Sequence, residues 1–265
     1  MLKNLGKKMN KIYPNTVFTR KIGIKEVRLI LFLSVFFLGS ACTNQSKHSS
    51  ENVEVAAKNI PVKKPSVIEI IGEEGTAISL DSLQKICKQN DIPTSAIYQW
   101  KNHVVIFRII NEAEKLQKQL AAQFPKAAIK LYNTPFYDFD RKRCGNVRIA
   151  KDWDNIIMTA DLVKNPKMQQ EYLDYHATQF QKWPEIAKGF CNANFQQLLV
   201  YKNGRQLILV ISIPKGESLD QLNPKTTENN PKVDQWNAIM KKYQEGIPGT
   251  KPGEVWVILK PLKSV

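Results

Sequence analysis

The chain is poor in the residues from which most catalytic machinery is built. Its 265 residues include three histidines and four cysteines, and no cysteine stands at the short repeated spacing of a zinc site. No Walker loop, GxSxG elbow or GxGxxG fingerprint occurs. Their absence closes the familiar nucleotide-driven, acyl-transfer and hydride-transfer routes, and the sequence calls for neither a metal nor an organic cofactor. There is also no hydrophobic run long enough to span a bilayer. LILFLSVFFLG, from Leu29 to Gly39, has eleven residues, against about twenty for a spanning helix. The formal charge is +15, but residues 1–41 hold eight Lys/Arg and one Glu, or +7, which leaves +8 for the rest. Without the clustered basic and aromatic stripe of a nucleic-acid groove, that remainder reads as solvated surface. No nucleic-acid partner is expected, only a weak preference for anionic polymers or lipid headgroups.

The apolar run follows a basic stretch ending at Arg28 and precedes Gly39-Ser40-Ala41-Cys42. This order resembles a bacterial lipoprotein signal, in which the cysteine is lipidated and becomes the new amino terminus. The leucine usual three residues before the cysteine stands four before it, at Leu38, and Met9 is a second candidate start. A plain cleaved signal peptide is the alternative. Residues 1–41 are therefore expected as a signal and 42–65 as a polar, flexible tether. The mature protein is expected to be exported and lipid-anchored to a bacterial membrane, on its periplasmic or cell-surface face. Cys87, Cys144 and Cys191 remain, and one disulfide suits an oxidising compartment, but the sequence does not choose the pair.

From Ser66 onward one unit is written twice. The first copy reads strand 66–72, helix 79–90, hairpin 95–100 and 103–109, helix 111–124 from an Asn111 cap, and strand 127–132. The second reads strand 155–163, a long helix 165–188, hairpin 193–201 and 206–213, helix 231–246, and strand 254–261. The tips Trp100-Lys101-Asn102-His103 and Tyr201-Lys202-Asn203-Gly204 occupy matching places. Each copy has the β-α-β-β-α-β order of a ferredoxin-like unit, whose open sheet face must be covered. The expected fold is α+β: tandem ferredoxin-like repeats, 66–152 with a connector and 153–265, closing on each other as an intramolecular α+β barrel. Such a pseudo-dimer is expected to be monomeric.

Tyr172-Leu-Asp-Tyr-His176, followed by Trp183-Pro184-Glu185, is the segment that carries chemistry. Tyr172 and His176 lie four apart, so on a helix their side chains stack one turn above the other. An imidazole beside a phenol moves protons near neutral pH. A surface histidine on an amphipathic helix is the plain alternative. Of the other histidines, His48 lies in the tether and His103 in a hairpin. The first copy has no counterpart to this pair, so one site per chain is expected.

Residues 153–262 resemble the L-rhamnose mutarotase family. The resemblance rests on Tyr172 and His176, Trp183-Pro184-Glu185, Asn194-Phe195 at the hairpin, Trp236 and Met240 on the next helix, and Trp256 in the last strand. It implies a dimeric-type α+β barrel that interconverts the anomers of L-rhamnose or a related monosaccharide, with no cofactor. Tyr172 and His176 would line the sugar pocket, with His176 as acid/base. Trp236 would stack on the sugar, Trp183 would do the same or simply pack, and Asn194 and Phe195 would belong to the site; Arg205 joins them as a candidate because its polar side chain suits sugar hydroxyls. Three departures stand out. The family often has two adjacent tryptophans where this chain has Trp236-Asn237, and often a tyrosine at Phe195. The gap between His176 and Trp183 is also about three residues longer than usual. Two other classes stay open: a non-catalytic sugar-binding lipoprotein, and another α+β-barrel protein such as a monooxygenase-like haem binder. Asn194, Gln196 and Arg205 suit sugar hydroxyls better than a haem.

Overall fold

A computed structural model describes residues 63–145 and 148–262. The expected signal, Cys42 and most of the tether lie outside the described residues. Val62–Val265 form one compact unit.

The first repeat runs β1 (Ser66–Ile71), α1 (Leu80–Gln89), β2 (Ile97–Trp100), β3 (His103–Arg108), α2 (Ala113–Gln123) and β4 (Ala128–Tyr132). Helix α1 starts where the Ser79 hydroxyl accepts from the Ser82 amide, satisfying one of the donors that a helix start leaves open. The expected Asn111 cap on α2 is not formed. Glu112 holds the cap position without a side-chain bond, and Asn111 Oδ1 accepts from Lys63 Nζ. The connector contributes β5 (Tyr137–Asp140).

The second repeat runs β6 (Trp153–Leu162), α3 (Pro166–Ala177), α4 (Gln179–Lys182), α5 (Pro184–Asn192), β7 (Gln197–Asn203), β8 (Gln206–Pro214), α6 (Leu219–Leu222), α7 (Pro231–Met240), β9 (Gln244–Glu245) and β10 (Val257–Pro261). The single long helix expected over 165–188 is three helices. Pro184 has no amide hydrogen and drives Trp183 out of helical geometry (φ −136°, ψ 52°), so a new helix begins there. The helix expected over 231–246 ends at Met240. Lys241–Tyr243 tighten into a 3-10 turn, and Gln244 and Glu245 leave to pair with Leu162 and Asp161. Both hairpin tips turn in two residues. Trp100 opposes His103, and Asn203 opposes Gln206 around Gly204-Arg205, with Gly204 at φ +59°. The second turn thus sits two residues beyond its expected place, because Lys202 and Asn203 are held in the ladder.

The strands order as β4-β1-β3-β2-β10-β6-β8-β7-β5. Each repeat shows the fourth-first-third-second order of a ferredoxin-like sheet, and the edges β2 and β10 join them through Gln99–Lys260 and Tyr98–Pro261. Across the opposite seam, Asn203 Nδ2 donates to the Leu131 carbonyl, and the Tyr201 hydroxyl donates to that of Pro65. Strand alternation sends one set of side chains to the helices and the other into the barrel. Ile68, Ile70 and Ile106 pack under α1 and α2. Leu198, Val200, Leu207 and Ile211 pack under the second repeat's helices. Between the sheets lies a third core shared by both repeats, including Val67, Val105, Phe107, Ile157, Leu199, Tyr201, Ile208 and Val210.

One fully buried carboxylate interrupts this shared core. Glu69 accepts from the Tyr132 hydroxyl at 2.8 Å and from Gln206 Nε2 at 2.7 Å, and lies 2.9 Å from His103 Nδ1. Gln206 belongs to the second repeat, so the network crosses the barrel. Every oxygen is thereby partnered, as a buried carboxylate requires.

Cys144 and Cys191 form a disulfide that ties the connector to the end of α5, across 47 residues of sequence. Cys87 is free and buried, and burial pushes its thiol up to about 12. Among the described residues no helix is long and apolar enough to cross a membrane.

Two outcomes follow from this architecture. A fragment limited to 153–262 uncovers the apolar barrel face and the β10 edge, so it dimerises or precipitates; a soluble monomer in gel filtration would refute the shared core. Replacing Cys144 and Cys191 by serine lowers stability by roughly 3–4 kcal/mol, on the loop-closure model, seen as a lower urea midpoint with little change in slope.

Candidate functional site

The site forms on α3, at the helix-side core of the second sheet. Asn165 begins the helix: its side-chain oxygen accepts from the amides of Lys167 (2.9 Å) and Met168 (3.3 Å), and Pro166 fits the first turn. One turn apart, the rings of Tyr172 and His176 lie 4.3 Å between centroids. Both are buried, Tyr172 at 1% exposure and His176 at 7%.

The imidazole is enclosed by aromatic rings. Beyond Tyr172, its centroid is 5.2 Å from Tyr137, 5.3 Å from Trp236 and 5.6 Å from Phe136. His176 Nδ1 lies 2.9 Å from the Tyr172 carbonyl oxygen. That contact makes Nδ1 the protonated nitrogen and leaves Nε2 as the lone-pair atom. Among the described residues Nε2 has no hydrogen-bond partner, whereas Nδ1 is taken up by the Tyr172 carbonyl.

Burial pulls the imidazole pKa down from 6.5 to about 4, outweighing the opposing pull of the Tyr172 carbonyl. His176 is thus neutral, and a base, at physiological pH. Burial pushes the Tyr172 phenol upward, against a smaller lowering from Gln244, so it keeps its proton. Gln244 Nε2 donates to the phenol oxygen at 3.2 Å, and the Trp256 indole donates to Gln244 Oε1 at 3.1 Å. The indole fixes which way the amide points, and the amide occupies the phenol's acceptor side. The phenolic proton is left free to be donated. A neutral base and a neutral acid therefore stand side by side.

Of the residues singled out in the sequence, Tyr172, His176 and Trp236 converge. Trp183 stands 5.8 Å from Trp236, with Lys232 Nζ 5.5 Å above its ring. The other three do not join them. Phe195 is buried against Phe190, at 5.9 Å and nearly parallel. Asn194 holds a left-handed turn at φ +57° before β7, and its oxygen accepts from Gln196. Arg205 is committed to Asp161 (3.1 Å), Glu245 (2.6 Å) and the Leu162 carbonyl. Glu185 opens α5, and its carbonyl accepts from Asn230.

The sequence reading missed Phe136, Tyr137, Gln244 and Gln179 as site residues. Tyr137 donates to Gln179 Oε1 at 2.7 Å, and Gln179 Nε2 donates to the Trp183 carbonyl at 2.7 Å, which bolts the connector ring to the helix break. The signal available was Phe136-Tyr137 in a connector otherwise rich in charge, but only the β5–β7 ladder brings them to α3.

With this geometry in place, similarity to known proteins becomes informative. Residues 156–264 match the L-rhamnose mutarotase family. The second repeat is L-rhamnose mutarotase-like. An L-fucose mutarotase of Xanthomonas campestris pv. campestris is 26% identical over 97 residues, spanning 36% of this chain and 75% of that protein. A UPF0734 protein of Dictyostelium discoideum is 26% identical over 113 residues, 40% of this chain and 84% of that protein. Among solved structures, a protein described as a monooxygenase from Lactobacillus acidophilus aligns with 76% of this chain and 94% of its own, at TM-score 0.39 and 6% identity. The mutarotase-like repeat carries all of the Tyr172–His176 site except the two connector rings. The match supports an isomerase-type enzyme of the sugar mutarotase class.

In a proton NMR titration, the His176 ring signal of this repeat is expected to shift with a midpoint near 4 rather than 6.5. Because the folded value lies below the unfolded one, the unfolded chain binds more protons between them. This group's contribution is complete above about pH 6.5 and is lost as pH falls toward 4, roughly 3 kcal/mol in all. His176→Ala is expected to flatten that part of the stability profile.

Proposed function

We propose that the protein is a sugar mutarotase that speeds exchange between the α and β anomers of L-rhamnose or a related monosaccharide. The observation that carries this reading is the pairing of an unprotonated imidazole nitrogen with a protonated phenol, inside an aromatic enclosure. Mutarotation needs two proton movements and no redox change. His176 Nε2 takes the proton from the anomeric hydroxyl, and Tyr172 gives its proton to the ring oxygen as the bond from that oxygen to the anomeric carbon breaks. The open-chain aldehyde turns about its first carbon–carbon bond. The imidazolium then returns its proton to the carbonyl oxygen while the phenolate recovers one from the attacking hydroxyl. Each group ends as it began. Gln244 supports this by holding the phenol oxygen, and the apolar edge of Trp236 suits a sugar's C–H face.

The protein is further proposed to work outside the cytoplasm, anchored through a lipid on Cys42. The Cys144–Cys191 disulfide supports an oxidising compartment. The tandem repeat supports a monomer, since its barrel draws both sheets from one chain.

Saturation-transfer NMR of anomeric exchange tests the proposal, with L-rhamnose, L-fucose and related sugars. Acceleration is expected to fall by about 10²–10⁴-fold in His176→Ala, the range of a lost acid/base. Tyr172→Phe is expected to lower turnover with little change in sugar affinity. Line broadening of one sugar without acceleration would instead favour a binding protein, and neither effect would reduce the similarity to shared fold.

A further inference from the structure

The connector holds a second feature that the His176 site does not use. A cavity of about 360 Å³ is lined by Arg141, Arg143, Cys144, Gly145, Lys188, Cys191 and Asn192. Three of these side chains are cationic and none is acidic. Arg141 is 8% exposed, and its guanidinium is held by neutral groups: Nε donates to the Arg148 carbonyl, and Nη1 to those of Cys191 and Phe195. Elsewhere the fold answers a partly buried cation with carboxylates, as Arg205 is answered by Asp161 and Glu245. Arg141 alone would be explained as a clasp on the carbonyls of Arg148, Cys191 and Phe195. Arg143, from the same turn, and Lys188, from α5, line the same cavity and are not explained by that role.

The cavity is also built to stay in shape. The Cys144–Cys191 disulfide lies in its wall, so the loop bearing Arg141 and Arg143 is tied to the helix bearing Lys188. The Arg143 guanidinium carbon lies over the Phe180 ring at 3.9 Å, and Phe180 stacks on Tyr137 at 5.5 Å. Tyr137 in turn touches His176. A preorganised guanidinium fork beside an ammonium suits a planar carboxylate or a tetrahedral sulfate.

We infer that the Arg141–Arg143–Lys188 cavity is a binding site for an anionic sugar substituent, the carboxylate of a uronic acid or a sulfate ester. The choice of a sugar as the carrier of that group rests on the mutarotase reading, but the site's readout is binding and involves neither His176 nor Tyr172. A sugar bearing such a group would be held by its charge at the cavity.

Isothermal titration of the full chain in detergent tests this with three probes: glucuronate, glucose 6-sulfate and neutral glucose. One or both anionic sugars bind at millimolar concentration or tighter, glucose does not, and Arg143→Gln/Lys188→Gln weakens binding by at least about tenfold. Both replaced side chains are exposed, so the fold is retained, which dispersed amide NMR signals verify. Glucuronate alone identifies the carboxylate as the group held, and glucose 6-sulfate alone the sulfate ester. Equal binding of glucose, binding unchanged in the double variant, or no binding by either anionic sugar overturns the site. His176→Ala leaves this binding intact, so failure of the mutarotase reading and failure of this site are read separately.

Discussion

The shared apolar layer between the two sheets is the constraint on which everything else rests. A ferredoxin-like sheet covered by helices on one face cannot stand in water with Leu199, Tyr201, Ile208 and Val210 on the other. The first repeat covers that face and receives the same protection for Val67, Val105 and Phe107. Hydrogen bonding at the β2–β10 junction is short, two residue pairs, so burial rather than the ladder holds the halves together. Within this layer the Glu69 network sets the fit. An apolar interface tolerates sliding, whereas a buried carboxylate with partners on both sheets is satisfied in one register.

That arrangement explains why the candidate site lies on the outer, helix-side core of one repeat. The barrel interior is spent on joining the halves, so the Tyr172–His176 pair is found under the second repeat's own helices. There the connector strand on β7 adds Phe136 and Tyr137 to the enclosure. The family's second tryptophan and its tyrosine are missing from their usual places, at Asn237 and Phe195. Two rings reach the imidazole from a segment that lies between the repeats in sequence.

Much of this was legible in the chain itself. The doubled β-α-β-β-α-β order follows from strand alternation, Gly204 and capping residues, all of which act locally. The Tyr172–His176 pairing is likewise a property of one helix, and so is visible at a spacing of four. What could not be seen depends on contacts between distant elements. Asn194 and Phe195 were expected at the site through the family resemblance, and the fold shows one in a left-handed turn and the other packed on Phe190. Arg205 looked free to meet a sugar, but β9, which came out of an expected helix, brings Glu245 to it. Pro184 was a visible breaker, yet Trp183 had to be seen outside helical geometry before the long helix could be divided. The disulfide choice among three cysteines rested on where α5 ends, which no spacing rule encodes.

A barrel made from two identical chains obeys mass action, and it falls apart when its concentration drops below its dissociation constant. Here the partner sheet is carried on the same polypeptide, so its local concentration is fixed by the connector and does not change on dilution. Assembly is therefore as secure for a single molecule in a sparse environment as in a crowded one. The tandem form also releases the two halves from symmetry. A substitution in the first repeat is made once rather than twice, so that half is free to specialise as a scaffold without altering the half that bears His176.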